Sequence, residues 1–265
     1  QPNNNNNNSM LNAASMAANI YSSAQNGGSD AMFDAGLQAS KLALNTGISR
    51  FLPGATTFYD SLKYYFNVDN NYVKAKLSTL LFPFLKKNWM RLKDESNTQS
   101  TGFVSPRGDE NAPDLYIPLM SLCSYVLLSG LLFGTSGKFT PEIIKDILVY
   151  CMLTQCLEVF AIKLGYFLLQ APSNWLDLFS FTGYKYVGLC INMIVGLMLG
   201  YWFYNICLLW TASCVGYFMM KTFANNIPRM TSSAGPKREF MVLGFAAAQM
   251  ITMWWLGNTA QLKKN

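Results

Sequence analysis

Between Tyr186 and Met220 the chain runs for thirty-five residues without Asp, Glu, Lys or Arg. A helix needs about 20 apolar residues to cross a hydrocarbon core about 30 Å thick. At 1.5 Å per residue this stretch would make a helix about 52 Å long, so it predicts two spans that fold back near Gly200. Similar apolar runs predict five spans in all: Leu115–Phe133, Ile143–Leu169, Leu178–Leu199, Trp202–Met220 and Phe240–Leu256. The second start is marked by Thr140 as a possible cap, Pro141 at the first helical position and Glu142 complementing the helix dipole. Pro118 falls in the first turn of the first span, where its missing N–H costs little.

Upstream the pattern changes. Phe33, Leu37, Leu44, Ile48 and Phe51 fall near one helical stripe that Pro53-Gly54 ends. A second stripe runs Val73, Leu77, Leu80, Leu81 and Phe84, accompanied by Lys74, Lys76, Lys86, Lys87, Trp89 and Arg91. A basic amphipathic helix with aromatics suits a membrane surface, apolar face inward; the competing expectation is a small helical unit docked on the bundle. Asp94 to Asp109 reads as a linker, with Asp94-Glu95 and Asp109-Glu110 solvated. The six asparagines after Gln1-Pro2 form a low-complexity tract that cannot bury enough apolar surface to fold. The expected class is therefore all-α: a polytopic membrane protein with five transmembrane helices and a partly disordered N-terminal cytosolic arm. Its parts are a low-complexity start (1–30), an amphipathic arm and linker (31–114), the spans (115–257) and a short tail (258–265).

Composition changes this picture mainly through charge. Up to and including Asp114 there are ten Lys/Arg and nine Asp/Glu; beyond it there are ten and five in a longer stretch. The net charge of +6 thus comes largely from short loops between spans and is no nucleic-acid footprint. With five spans, the arm, the Ala171–Asp177 loop and the Lys221–Arg238 loop share one side. Six basic residues and no acid lie between Lys74 and Lys93, and that side adds Arg107, Lys221, Arg229, Lys237 and Arg238. The opposite loops offer only Lys138 and the tail pair Lys263 and Lys264. Positive-inside bias places the N-terminus in the cytosol and the C-terminus in a lumen.

The chemistry is sparse. No histidine occurs, which removes the commonest general base and metal ligand. The six cysteines lie in apolar segments and read as small buried hydrophobes, without disulfides. We find no nucleophile elbow, phosphate-binding glycine loop, zinc set or carboxylate pair, so neither an enzyme nor a cofactor is expected. Three charges do lie within spans: Glu158, Lys163 and Lys185. Glu158 is expected to face the bundle interior and pair with Lys185 or with a partner chain. Lys163 and Lys185 are shallow enough for their stems to reach the headgroups. Gly188, Asn192, Gly196 and Gly200 follow at four-residue spacing, and Gly130 with Gly134 repeats the motif. Small residues let membrane helices approach closely, within one chain or against a partner.

Several longer motifs carry a family resemblance. They are Leu62-Lys63-Tyr64-Tyr65-Phe66-Asn67-Val68-Asp69, Tyr72-Val73, Leu81-Phe82-Pro83-Phe84 and Asn88-Trp89, followed by Asn111 to Pro118 and by Gly183 to Gly188. In that order they resemble the Yif proteins, the Yip-interacting factors of the early secretory pathway. The resemblance covers roughly Leu62 to Trp255. It implies five spans and a cytosolic N-terminus in the ER, the Golgi and ER-derived transport vesicles. It also implies a heteromer with a Yip-type membrane protein, contact with Rab GTPases and vesicle coat machinery, and a part in ER-to-Golgi traffic. Within these motifs Asp114, Tyr116 and Pro118 at the membrane entry, and Tyr184 and Tyr186 in the third span, are the residues to inspect. The expected function is a non-enzymatic membrane scaffold or adaptor. The intramembrane charges leave open a small ion or solute transporter, or a lipid-handling protein.

Overall fold

The computed structural model describes residues 55–93, 103–227 and 235–262. The stripe at 31–51, the asparagine-rich start, Asp94, Glu95, Arg229 and the tail lysines lie outside the described residues. Eight α-helices are described: α1 (Ala55–Phe66), α2 (Asn70–Leu81), α3 (Tyr116–Thr135), α4 (Pro141–Leu168), α5 (Trp175–Gly183), α6 (Lys185–Leu199), α7 (Tyr201–Asn226) and α8 (Gly235–Leu262). A single 3₁₀ turn, Pro83–Leu85, follows α2. α1 crosses the boundary, after Lys63, between two compact units; the long helices and the arm from Tyr64 onward belong to the second, residues 64–265.

Five helical stretches are long and apolar enough to cross a membrane: Tyr116–Thr135, Pro141–Leu168, Trp175–Leu199, Tyr201–Asn226 and Arg238–Asn258. Each coincides with an expected span, and three details differ. The third span is not one straight helix but breaks at Tyr184 between α5 and α6. There Val187 N–H donates to the Tyr184 carbonyl, a three-residue closure tighter than the α-helical one. The break sits where backbones converge, since a Cβ on Gly183 would lie 2.7 Å from Pro118 Cβ. The fourth span extends six residues past Met220 because Phe223 is buried. Its ring meets Tyr166, Phe181 and Phe245 edge-on, with centroids 5.9, 5.9 and 5.7 Å away. At the head of α4, Thr140 takes the cap position without a side-chain bond.

Gly200 makes the fold-back between α6 and α7 at φ +90°, a conformation that costs an L-residue its Cβ clash and glycine nothing. The core forms two clusters. One joins Tyr125, Phe133, Cys151, Tyr186, Tyr204 and Met253 around α3, α4 and α6–α8. The other gathers Tyr72, Val159, Phe181, Tyr184, Met219 and Phe223 beneath the arm.

Candidate functional site: a buried polar junction between arm and bundle

The chain enters the bundle through Ala112-Pro113-Asp114. Proline disfavours helix in the residue before it, so the helix starts only afterwards, and Asp114 is left at the mouth of α3. Asp114 is fully buried. Its Oδ2 accepts the Ile117 N–H at 2.7 Å, satisfying a donor of the first turn of α3. Its Oδ1 accepts the hydroxyl of Tyr184 at 2.5 Å and lies 2.9 Å from that of Tyr72. Its own N–H donates to the Tyr184 oxygen at 3.1 Å, and its carbonyl accepts Ser180 Oγ at 2.6 Å. Ser180 and Tyr184 are four residues apart on the third span, so both reach the same point.

Lys76 stands one turn after Tyr72 on α2. Its ammonium donates to the carbonyls of Glu110 and Ala112 at 3.0 and 2.9 Å. It also lies over the rings of Tyr184, Tyr72 and Phe218, 5.2, 5.6 and 5.7 Å from their centroids. Lys76 therefore does not belong to a membrane surface: it is 1% exposed. A buried ammonium is tolerated here because two carbonyls and three ring faces replace its water. Burial still lowers its pKa to about 7, with Asp114 opposing the shift. Burial also raises the Tyr72 phenol, assisted by Tyr184 and Asp114.

A second layer fastens the return of the arm. The Tyr65 hydroxyl donates to Asp177 Oδ1, and Arg91 pairs with Asp177 Oδ2 at 3.4 Å. Arg91 also donates to the Tyr64 oxygen at 3.3 Å and lies 4.3 Å over the Phe103 ring. Trp89 packs on Tyr217 and Phe218 of α7, and Lys86 pairs with Glu110 at 3.5 Å. The residues from Tyr64 onward are thus a docked unit, with Lys74 and Lys87 left exposed. The expectation of solvated acids fails at Asp109. It is buried and accepts the N–H groups of Leu92 and Asn111 at 2.8 and 2.9 Å, because an irregular chain must find partners for its buried amides.

Deeper in the bundle Lys185 is fully buried and ion-paired with Glu158. Its stem does not reach the headgroups, since the kink at Tyr184 turns it inward towards α4. Lys163 behaves otherwise, donating to Ser173 O and Oγ at 2.5 and 2.9 Å in the following loop. Gln155 donates to Thr182 Oγ1, and Gln249 to the Thr182 carbonyl at 3.0 Å. Asn192 accepts Thr211 Oγ1 at 3.1 Å, and Tyr186 donates to the Cys151 carbonyl at 3.0 Å.

The glycines divide. A Cβ at Gly188 would lie 2.4 Å from Met253 Cε, and one at Gly196 would lie 2.8 Å from Tyr204 Cδ2, so both serve packing within the chain. Gly130 approaches Ile144 at an ordinary 3.5 Å, whereas Gly134 and Gly200 have nothing within 4 Å of an added Cβ. Pro118 is buried and Tyr116 exposed. Among the described residues no group of three or more His, Cys, Asp or Glu could hold a metal ion, and the cysteines are free.

Sequence reasoning passed over Ser180, Asp177, Gln155 and Gln249. The signal available was polarity inside apolar segments. A lone Ser or Gln in a span is weak as a pattern and becomes informative only once its neighbour is known.

A family model for YIF1 matches residues 24–257. This chain belongs to the YIF1 family. It is similar to Protein YIF1B of Danio rerio, 35% identical over 226 residues, covering 82% of this chain and 71% of that protein. Human Protein YIF1B is 35% identical over 227 residues, 82% and 69% of the two chains. The protein transport protein yif1 of Schizosaccharomyces pombe is 30% identical over 237 residues, 83% and 80%. No solved structure matches. The junction at Asp114 and Tyr184 lies inside the YIF1 match.

Proposed function

We propose that this YIF1-family chain is a non-enzymatic membrane adaptor in ER-to-Golgi vesicle transport. It acts in a complex with a Yip-type membrane protein and engages Rab GTPases and vesicle coat machinery. It resides in the ER, the Golgi and ER-derived vesicles, with the N-terminus cytosolic and the C-terminus lumenal. One observation supports this reading above others. The arm from Tyr64 onward is locked to the spans through the buried Asp114 junction, so whatever binds the arm is held in fixed register to the bundle. A relative named as a protein transport protein points the same way. Gly188 and Gly196 are covered by the chain itself, so the membrane partner meets another face of the bundle. Purification of the tagged protein in mild detergent from its own membranes tests the proposal. Recovery of a Yip-type protein in defined stoichiometry is expected; a monodisperse chain alone would overturn it.

A second reading, a small ion or solute transporter, rests on Glu158 Oε1 and Gln155 Oε1, buried without hydrogen-bond partners. Reconstituted protein would then carry a flux that Glu158→Gln abolishes.

A further inference from the structure

The path of the arm alongside α7 can be followed residue by residue. Lys76 lies against Phe218, the Leu81 carbonyl accepts Cys214 Sγ at 3.1 Å, and Phe82 meets Trp210 with centroids 6.2 Å apart. α2 therefore runs antiparallel to α7 and descends beside it from residue 218 to residue 210. After the 3₁₀ turn the chain climbs back. Phe84 contacts Trp210 and Tyr217, Trp89 contacts Tyr217 and Phe218, and Arg91 reaches Asp177 at the start of the third span.

α7 supplies a depth scale. Tyr201 follows the fold-back, and Lys221 is the first charge after the uncharged run, so the two lie about 30 Å apart along the helix, one bilayer core. On that scale Tyr217 is about 6 Å, Cys214 about 10 Å and Trp210 about 16 Å below Lys221. The tip of the arm is thus level with the inner part of one leaflet. Its apolar surface has the matching character, and the exposed Lys87 two residues beyond Leu85 can extend its stem towards the headgroups. Phe82, Phe84 and Leu85 are 48, 54 and 78% exposed, and they continue the outward-facing apolar surface of Ile206, Leu209 and Trp210.

Several backbone groups of the tip are satisfied as well. Irregular chain survives next to lipid only if its polar groups are satisfied internally. Phe82 N–H donates to Ser78 O at 2.9 Å, Leu85 N–H to Phe82 O at 3.2 Å and Lys86 N–H to Pro83 O at 3.3 Å. Pro83 has no N–H, and the Leu81 carbonyl is held by Cys214. The exposed Lys74 lies about 10 Å back along α2 from Leu81, nearer the Lys221 level.

We propose that residues 70–89 form a re-entrant hairpin whose Pro83–Leu85 tip is immersed in the acyl chains of the leaflet on the Lys221 side. The occupant of the exposed face of the tip is lipid. The hairpin adds a sixth element to that leaflet alone, so the protein is wider there than in the opposite one.

The test uses the full chain with its six cysteines replaced, reconstituted sparsely into phosphatidylcholine–phosphatidylserine vesicles. An environment-sensitive fluorophore is placed at Leu85→Cys or at Lys74→Cys. Lipids brominated along the acyl chain are expected to quench the Leu85 probe about fivefold more than the Lys74 probe, with aqueous iodide showing the reverse order. Iodide access at Leu85 equal to that at Lys74 would overturn the proposal. So would shielding of Leu85 from both quenchers, which marks a protein contact. The unmodified chain gives an independent readout. A lipid carrying a photoreactive group in its acyl chain should label the peptide containing Phe82–Leu85, and absence of label there overturns the proposal without any substitution.

Discussion

Two buried polar clusters in this protein are built on opposite plans. At the arm junction, the Asp114 carboxylate is held by two phenols and the Ile117 amide from three stretches of chain, and Lys76 by carbonyls and ring faces. Within the bundle, Glu158 Oε2 and Lys185 pair directly across α4 and α6, leaving Oε1 of the same carboxylate without a partner. The first arrangement joins segments far apart in sequence and fixes where the arm sits. The second joins two neighbouring spans and fixes their register. The teaching is that a buried charge solvated by many neutral dipoles acts as a junction, whereas a buried ion pair acts as a latch between two helices.

Breaking the latch should have the largest effect. Glu158→Gln or Lys185→Met alone should cost about 3–5 kcal/mol, because each leaves one side of the pair buried without its partner. The double change to apolar residues should recover most of that loss. Thermal unfolding in detergent checks both, and equal losses in single and double variants would refute the latch. Opening the junction comes next. Asp114→Ala should cost about 3 kcal/mol by leaving Tyr184 and the Ile117 amide short of an acceptor, while Tyr72 keeps the Ala112 carbonyl at 2.8 Å. Hydrogen exchange should then rise over 70–81 while α4 and α6 stay protected; exchange rising equally in α4 would erase the distinction between the two clusters.

Glycine substitutions sharpen the contrast between packed and open positions. Gly188→Ala should cost about 1–3 kcal/mol through overpacking against Met253 and Thr211. Gly134→Ala, with open space around it, should be neutral or stabilise by about 0.5–1 kcal/mol. A ranking in the opposite order would place the helix contact elsewhere.

The last effect is pH dependence at the junction, comparable in size to the Gly188 change. Lys76 has a folded-state pKa of about 7 against about 10.4 for a free lysine. Between these values the undocked state binds more protons, so docking strengthens as pH rises through that window and is level below it. The charged groups that act on Lys76 are Asp114 and Asp109, which favour its proton, and Lys86 and Arg91, which oppose it. Hydrogen exchange over 70–81 at constant intrinsic rate should therefore slow from pH 7 to 9, and Lys76→Met should flatten the change.

Much of this was legible beforehand for a physical reason. Five apolar runs and the fold-back at Gly200 depend on local composition, and lipid imposes a length that local composition reports. The pairing of Glu158 with Lys185 followed from the scarcity of other charges at that depth. Asp114 and Tyr184 stood out by their motifs, but nothing local told that they touch across seventy residues. The reading of Lys76 failed for the same reason. A lysine on an amphipathic stripe looks solvated until three rings and two carbonyls from elsewhere close over it.

Sequence alone, then, determined the number of spans, their approximate limits and the basic character of the arm, because hydrophobic length and charge act locally. Tertiary structure alone decided the kink at Tyr184, the burial of Lys76 and the contact of Phe82 with Trp210. These depend on which backbones approach and which dipoles converge, and that is a property of the packed chain rather than of any segment.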